Sequence, residues 1–527
     1  MILKNKNKLT FIVILAGILR IAALICRGPF SFDEFFTVHF SSLPLLKFSW
    51  TLAENHPPFF YFLTHFWTKI AHFDEFLNRL PALFFGLLGV LATFFVARLL
   101  FSTFNQKGEN ADEQIKRASL VAALLAALSP YQIWHSSQVR MYSMIFFLSL
   151  ASMYFFWQLI TGKEQAKNPL LWFISSLFLI LTHIFGCLTI FSQFLYLFFA
   201  YYCSLIDKKR LLRLIGLILI LAAVFLTWFI PTILLDKGGD LSQGWFFHTP
   251  KTNFYFFSAI RAFITSGSPL PSLEFLINSL LIFFIVVFVI EFKKNPENKW
   301  EIKSHLGPVE IFILTWLFIP LLIGFILQIN SPLYFVSSSG AIYLIIGYSF
   351  KKFNVHLFLK LKRGNHYRLN KLSFSSVALT LLLVCGSLSI LNNVTFHNQA
   401  KNLTDWIEKN EKPGDKIIIH SFCQEMLFRH YYQGALPLQG FYPLDDNLSY
   451  ESRIIKKNWQ DIVNEENVKK LADFTQNYNR IFLVQRLPFG FDLKKLVFYW
   501  FIKNNWQLLE SINLRDGCSI YVFKNPK

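Results

Sequence analysis

Apolar runs about as long as a bilayer-crossing helix recur through the first 392 residues of this 527-residue chain. They lie at about 9–27, 80–101, 118–135, 141–161, 169–186, 187–206, 211–234, 272–292, 308–329, 333–350 and 373–392. A water-soluble fold could not cover so much apolar surface, since 54% of the residues are hydrophobic and 62 are Phe. The expected class is an all-α polytopic membrane protein with about eleven transmembrane helices. A further stretch, 57–71 (PPFFYFLTHFWTKIA), is short for a crossing, opens on two prolines and carries Lys69.

Charge sets the expected orientation. The net charge of +19 does not point to nucleic acid, because most Lys and Arg sit in short clusters between spans. If 57–71 does not cross, those clusters fall in alternate loops: Lys4 to Lys8, Lys116 and Arg117, Lys208 to Arg213, Lys293 to Lys303, and Lys351 to Lys371. All of them then face the cytoplasm, as short basic loops do. If 57–71 did cross, every later cluster would lie outside. The stretch is therefore read as an interfacial helix on the outer face. The N-terminus, MILKNKNKLT, resembles a signal peptide, but no small-residue cleavage site follows. It reads as an uncleaved first span with a cytoplasmic N-terminus in a cell inner or plasma membrane.

Two domains are expected: a membrane domain over 1–392, with juxtamembrane helices in a first outer loop at 28–79, and a small extracytoplasmic α/β domain over 393–527. In the tail, NLTDWIEKNEKPGDKIIIH reads as helix, Pro-Gly-Asp turn and strand, and RIFLVQR (480–486) and SIYVFK (519–524) read as further strands. The six cysteines form no CxxC pair. Cys423 and Cys518 share the tail and could pair there if it is extracytoplasmic.

Ionisable residues gather where the runs meet the outer face. GPFSFDEFFTVHFS follows the first span and places Asp33 and Glu34 side by side. Such a pair is either a solvated start to a helix, where acids suit the dipole, or a base with a neighbour that orients or tunes it. In AENHPPFFYF, Glu54 and His56 precede Pro57 and Pro58, with Tyr61 just beyond. Pro-Pro either simply begins a helix or also fixes His56 at headgroup depth, where it could meet a phosphate. ALSPYQIWHSSQVRMYSM joins two spans and carries His135, Gln138, Arg140 and Tyr142. Arg140 opens an apolar helix, as an interfacial anchor or as a forked donor to a phosphodiester. His183 sits near the outer end of a span, as an interhelical contact or a ligand. The 235–271 loop, with His248, Lys251 and Arg261, reads equally as a lid or an interfacial helix. There is no metal-ligand spacing, phosphate-binding Gly-rich loop or nucleophile elbow.

In this order the segments resemble the GT-C glycosyltransferases that use lipid-linked sugars, of the dolichyl-phosphate-mannose protein mannosyltransferase and aminoarabinose transferase types (family 39 type). The match covers Asp33-Glu34, His56-Pro57-Pro58 with Tyr61, Arg79-Leu80-Pro81, and Ser129-Pro130 followed by Gln138, Arg140, Met141 and Tyr142. Each motif is weak alone, and the four in order span roughly the first 160 residues. The resemblance implies an inverting transferase that moves a sugar from a polyprenyl-phosphate carrier to a glycan, lipid or protein acceptor outside the cytoplasm. It implies Asp33 as base with Glu34 in support, and Arg140, with His56, on the donor phosphate. Glu54, Tyr61, His135, Gln138, Tyr142 and His183 would line the substrate. Relatives often carry an Arg-Tyr pair where a late span begins, whereas this chain has Ser337 and Ser338. That phosphate contact would then be missing or supplied elsewhere, for example by Lys251 or Arg261. No cofactor is called for; a divalent metal is compatible with the superfamily but not required by a monophosphate donor. A transporter or flippase would instead call for broken or charged helices at mid-membrane and paired inverted repeats. A non-catalytic scaffold is the other alternative.

The orientation has a direct check. In a cysteine-free background, Lys209→Cys should resist a membrane-impermeant maleimide in intact cells, while Lys409→Cys in the tail should label. The reverse pattern would refute the assignment.

Overall fold

A computed structural model describes residues 2–45, 56–103, 111–162, 168–235, 255–265, 271–294, 300–304, 306–327, 329, 331–352, 356–363, 366–393, 399–420, 425–441, 463–486, 492, 494–513 and 518–526. These fall into two compact units: Met1–Cys26, Asn55–Pro231 and Gly244–Thr395 in one, and Arg27–Glu54, Thr232–Gln243 and Phe396–Lys527 in the other. The domain boundary expected near 392 thus falls at 395, and the chain just after the first span belongs with the tail.

The described residues of the apolar runs are mostly helical, although the run at 272–292 ends in a strand from Ile290. Among the described residues, six helices are long and apolar enough to cross a membrane: Asn7–Cys26, Glu75–Thr103, Tyr142–Ile160, Lys208–Thr232, Pro308–Ile326 and Pro332–Phe350. Asn168–Thr182, Gly186–Tyr202, Leu273–Val289 and Ser376–Cys385 are apolar but shorter. The run at 118–135 is part of two helices, Ala111–Leu128 and Pro130–His135, broken where Ser129 caps the second. Pro130 sits at its first position, where a missing N–H costs nothing. The stretch at 57–71 is a 13-residue helix, Phe59–Ala71, about 20 Å long and short of the ~30 Å apolar layer.

The first helix, Ile2–Cys26, shows which solvent the chain is built for. Ile12, Ala16, Arg20 and Leu24, four residues apart, form its buried stripe, while Phe11, Ile14, Ile18, Ile21 and Ile25 are exposed. In water this would be inverted. With hydrocarbon outside, it places the polar side chain where partners exist. The protein is an integral membrane protein.

Inside this unit, small residues let helices approach closely. Ala118, Ala122, Ala123, Ala126 and Ala127 are all buried on one helix. A Cβ on Gly347 would lie 2.8 Å from the Ala118 carbonyl, so only glycine permits that contact. Polar side chains pair between helices: Gln193 donates to Ser152 Oγ at 2.8 Å and accepts from Trp172 Nε1 at 3.0 Å. Each such bond is worth on the order of 0.6 kcal/mol in a membrane.

Two hairpins depart from the all-α expectation for this unit: β1 (Ile290–Lys294) with β2 (Trp300–Ser304), and β3 (His356–Arg363) with β4 (His366–Ser373). Both lie where the sequence shows basic loops. HLFLKLKR alternates apolar and polar residues, a period-2 signal masked by its charge.

The tail carries a five-stranded sheet of β5 (Asp415–His420), β6 (Leu438–Gly440), β7 (Arg480–Arg486), β8 (Gln507–Asn513) and β9 (Cys518–Lys524), in the order β6-β5-β7-β9-β8. β5 runs parallel to β6 and β7, and β9 is antiparallel to both its neighbours. The three strands read from sequence are β5, β7 and β9; the short β6 and the mostly exposed β8 carry no comparable apolar signal. Gly414 takes the positive φ of the turn before β5. Asp415 accepts from Arg480 Nη2 at 2.6 Å across β5 and β7, which pins the register at its first pair.

His420 ends β5 and is 2% exposed. Gln485, its register partner on β7, faces Nδ1 at 3.5 Å. Burial pushes the imidazole from its ordinary 6.5 down to about 4. The unfolded chain therefore binds the proton first. Stability is complete above pH 6.5 and falls, by about 3 kcal/mol, as pH drops through 4. Denaturation of the full chain at pH 7 and pH 4.5, followed by tryptophan fluorescence, should show this loss, and His420→Gln should reduce it. An unchanged pH dependence in that variant would assign the loss to other groups.

Candidate active site

The residues picked from sequence divide between the two units. Asp33 and Glu34 belong to the second, in helix Phe32–Ser42. Glu34 is 1% exposed and fully engaged. Its Oε2 accepts from the Ser31 backbone N–H and the Ser31 hydroxyl, both at 2.9 Å, and its carboxylate meets Arg27 at 3.4 Å. This is a capping box, in which the third helical residue reaches back to the cap. It positions the first turn. Asp33, one residue earlier, is exposed, and its carboxylate has no hydrogen bond or ion pair among the described residues. Adjacent in sequence, the two acids differ in role because neighbouring helical residues point about 100° apart.

His56, Tyr61, His135, Gln138, Arg140, Tyr142, His183 and Arg261 belong to the first unit. Arg140 leaves a tight turn (its N–H donates to Gln138 O at 2.8 Å) that brings its guanidinium 3.3 Å from His56 Nε2. A guanidinium only donates, so Nε2 accepts and the ring proton sits on Nδ1. That Nδ1 is buried and has no hydrogen-bond partner among the described residues. Burial first, then Arg140 and His183, hold His56 well below the usual imidazole range, so the ring is neutral.

The His183 ring lies 5.4 Å from that of His56. Its Nδ1 accepts the Phe185 backbone N–H at 3.1 Å, which leaves the proton on Nε2. That atom is also buried and without a hydrogen-bond partner among the described residues. One guanidinium and two unanswered imidazole N–H groups thus occupy one neighbourhood. Aromatic rings border it: Tyr61 at 6.5 Å from His56, and Tyr142 and Tyr334 at 6.2 and 6.0 Å from His183. His135 lies 4.9 Å from Tyr142 and 4.3 Å from Tyr131. Buried donors with no acceptor are costly, and an anion with several acceptor oxygens would satisfy them.

Arg261, on helix Tyr255–Thr265 of the same unit, is ion-paired with Glu274. Residues 259–265 of this helix are buried, and Phe263 O accepts from Tyr343 and Ser129 at 2.8 Å each. Glu54 and Lys251 lie outside the described residues. Ser337 and Ser338 are buried, with hydroxyls lacking a hydrogen-bond partner among the described residues.

Arg20 matters more than its sequence context showed. It donates to Ser136 Oγ at 3.1 Å and to the carbonyls of Ala127 at 3.0 Å and Ala126 at 3.1 Å. Those carbonyls end helix Ala111–Leu128, so Arg20 satisfies that end and ties it to the turn preceding Arg140. The contact needs Gly86, where a Cβ would lie 2.2 Å from Ser136 Oγ. An arginine inside an apolar run was the available signal. For Tyr131 and Tyr334 the sequence carried none.

Comparison with solved structures gives a close architectural counterpart. ArnT from Cupriavidus metallidurans, in the apo state, superposes with a TM-score of 0.55 at 13% identity, over 98% of this chain and 99% of that one. The two chains share a fold. The same protein bound to undecaprenyl phosphate matches at a TM-score of 0.55 and 13% identity, over 98% of each chain. The archaeal oligosaccharyltransferase AglB from Archaeoglobus fulgidus, in complex with an inhibitory peptide and a dolichol-phosphate, gives 0.48 at 12% identity over 91% of this chain and 69% of that one. No family model and no curated protein matches the sequence. The likeness to ArnT is thus one of fold, with little of the sequence shared.

Arg20→Leu should strip its partners and lower the melting temperature of the detergent-solubilised chain by several degrees, consistent with a loss of about 3 kcal/mol. Gly86→Ala should act in the same direction through the same contact. Unchanged melting in both would show that Arg20 does not hold this turn.

Proposed function

We propose that the protein is an inverting glycosyltransferase that takes a sugar from a polyprenyl-phosphate carrier and passes it to an acceptor on the extracytoplasmic side. The observation that carries the reading is the cluster of Arg140, His56 and His183, which offers one fixed positive charge and two neutral donors. A phosphodiester has one negative charge and two free oxygens, and this set matches both. The GT-C fold shared with ArnT, which has been solved with undecaprenyl phosphate, supports the same carrier class.

In the reaction, an acceptor hydroxyl oxygen attacks the anomeric carbon. The bond from that carbon to the carrier phosphate breaks, and its electron pair stays on the phosphate oxygen. The hydroxyl proton passes to Asp33, whose exposed carboxylate is uncommitted. The leaving phosphate gains negative charge, which Arg140 offsets, and His56 and His183 donate to its oxygens. Glu34 supports Asp33 through the helix cap, while Arg261 is committed to Glu274 and is not assigned to the phosphate. Tyr61, Gln138, Tyr142 and His135 would border the sugar and lipid head.

Membranes carrying the chain can be supplied with undecaprenyl-phosphate mannose, galactose, glucose or aminoarabinose, and release of free undecaprenyl phosphate measured. Asp33→Asn should lower turnover at least 100-fold at normal expression. Arg140→Ala should lower turnover and also raise the donor KM, because it acts on ground state and leaving group together. Full activity in Asp33→Asn would remove the base assignment. Full activity in Arg140→Ala would remove the phosphate assignment.

A further inference from the structure

The helix carrying Asp33 is held by the tail. Phe30, just before the cap residue Ser31, donates its backbone N–H to the Tyr431 hydroxyl at 2.7 Å, across 401 positions of sequence. The next tail residue back, His430, places its ring 4.8 Å from Phe35. Met426, one turn earlier, packs against Phe36 and Phe40. Three residues of helix Glu425–Tyr431 therefore grip the start and inner face of helix Phe32–Ser42.

That grip is anchored. Arg429, on the same tail helix, donates to Glu425 at 2.8 and 2.5 Å and to the Leu438 carbonyl at 2.6 Å, which begins β6. β6 is hydrogen-bonded to β5. A connected path of side chains runs from the sheet to Phe30. Asp33 has no side-chain partner of its own among the described residues, so its place depends on its helix. The Ser31–Glu34 cap shapes the helix locally, and the tail contacts hold it against a packed domain.

The geometry points to Tyr431 as a positioning residue for Asp33, with His430 and Met426 completing the clamp. This rests on the reading of Asp33 as base. It gives the tail a part in the chemistry: the sheet domain aims the base, whatever acceptor it also meets. A displacement of about 1 Å at a reacting group can cost up to 100-fold in rate, and loss of one clamp contact should cost less.

A double-mutant cycle separates positioning from general folding. Tyr431→Phe removes the hydroxyl and keeps the ring. In full-length protein, with the undecaprenyl-phosphate sugar that the unsubstituted chain turns over, it should lower turnover about tenfold and leave the donor KM within about twofold. In the Asp33→Asn background it should cost nothing further, because there is no base left to aim. Hydrogen exchange read by mass spectrometry should rise in the peptide spanning 30–40 and stay unchanged over β5 and β7. Multiplicative losses in the double variant, or unchanged exchange at 30–40, would overturn the inference while leaving the transferase reading standing. Absence of transfer by the unsubstituted chain from every donor in the panel would overturn both.

Discussion

A guanidinium within an apolar helix has to be met, and the way Arg20 is met organises the membrane unit. Its partners are the last carbonyls of one helix and the hydroxyl of the turn beyond. Left alone in hydrocarbon, such a charge would cost several kcal/mol. The same bonds that satisfy it hold the polar segment Ser136 to Arg140 against the first span. Gly86 is part of that arrangement, since no other residue leaves room for Ser136. The guanidinium of Arg140 then emerges from a turn whose backbone is already tied down.

Around Arg140 the economy is reversed. Polar groups there are left with unspent donors: Nδ1 of His56 and Nε2 of His183 are buried and lack hydrogen-bond partners among the described residues. Stability alone would favour apolar replacements. Unmet donors beside a fixed cation are what an anion site requires before its ligand arrives. Neutral imidazoles suit this role because they add hydrogen bonds without adding charge repulsion beside Arg140.

The second unit solves a different problem. The proposed base must stay accessible and yet be aimed. Glu34 is buried in the helix cap and Asp33 is exposed, so one acid serves structure and the other keeps its carboxylate available. From sequence the pair read either as a helix start or as a catalytic pair. In the structure Glu34 takes the helix-start role and Asp33 stays exposed, while the tail helix packs against the helix that carries them.

Much of this was written in the chain. Apolar run length marked the helical membrane unit, because hydrocarbon thickness permits few alternatives. Pro-Gly-Asp before KIIIH and the short apolar run in RIFLVQR marked β5 and β7, because turns and buried strands have local chemical signatures. Local order cannot say which side chains meet, since that depends on contacts between residues far apart along the chain. The pairing of His56 with Arg140 across 84 positions, and of Phe30 with Tyr431 across 401, was settled only by folding. So was the commitment of Arg261 to Glu274, and so was the difference between Asp33 and its neighbour. Periodicity fixes what a segment becomes; only packing decides which of its polar groups remain free to act.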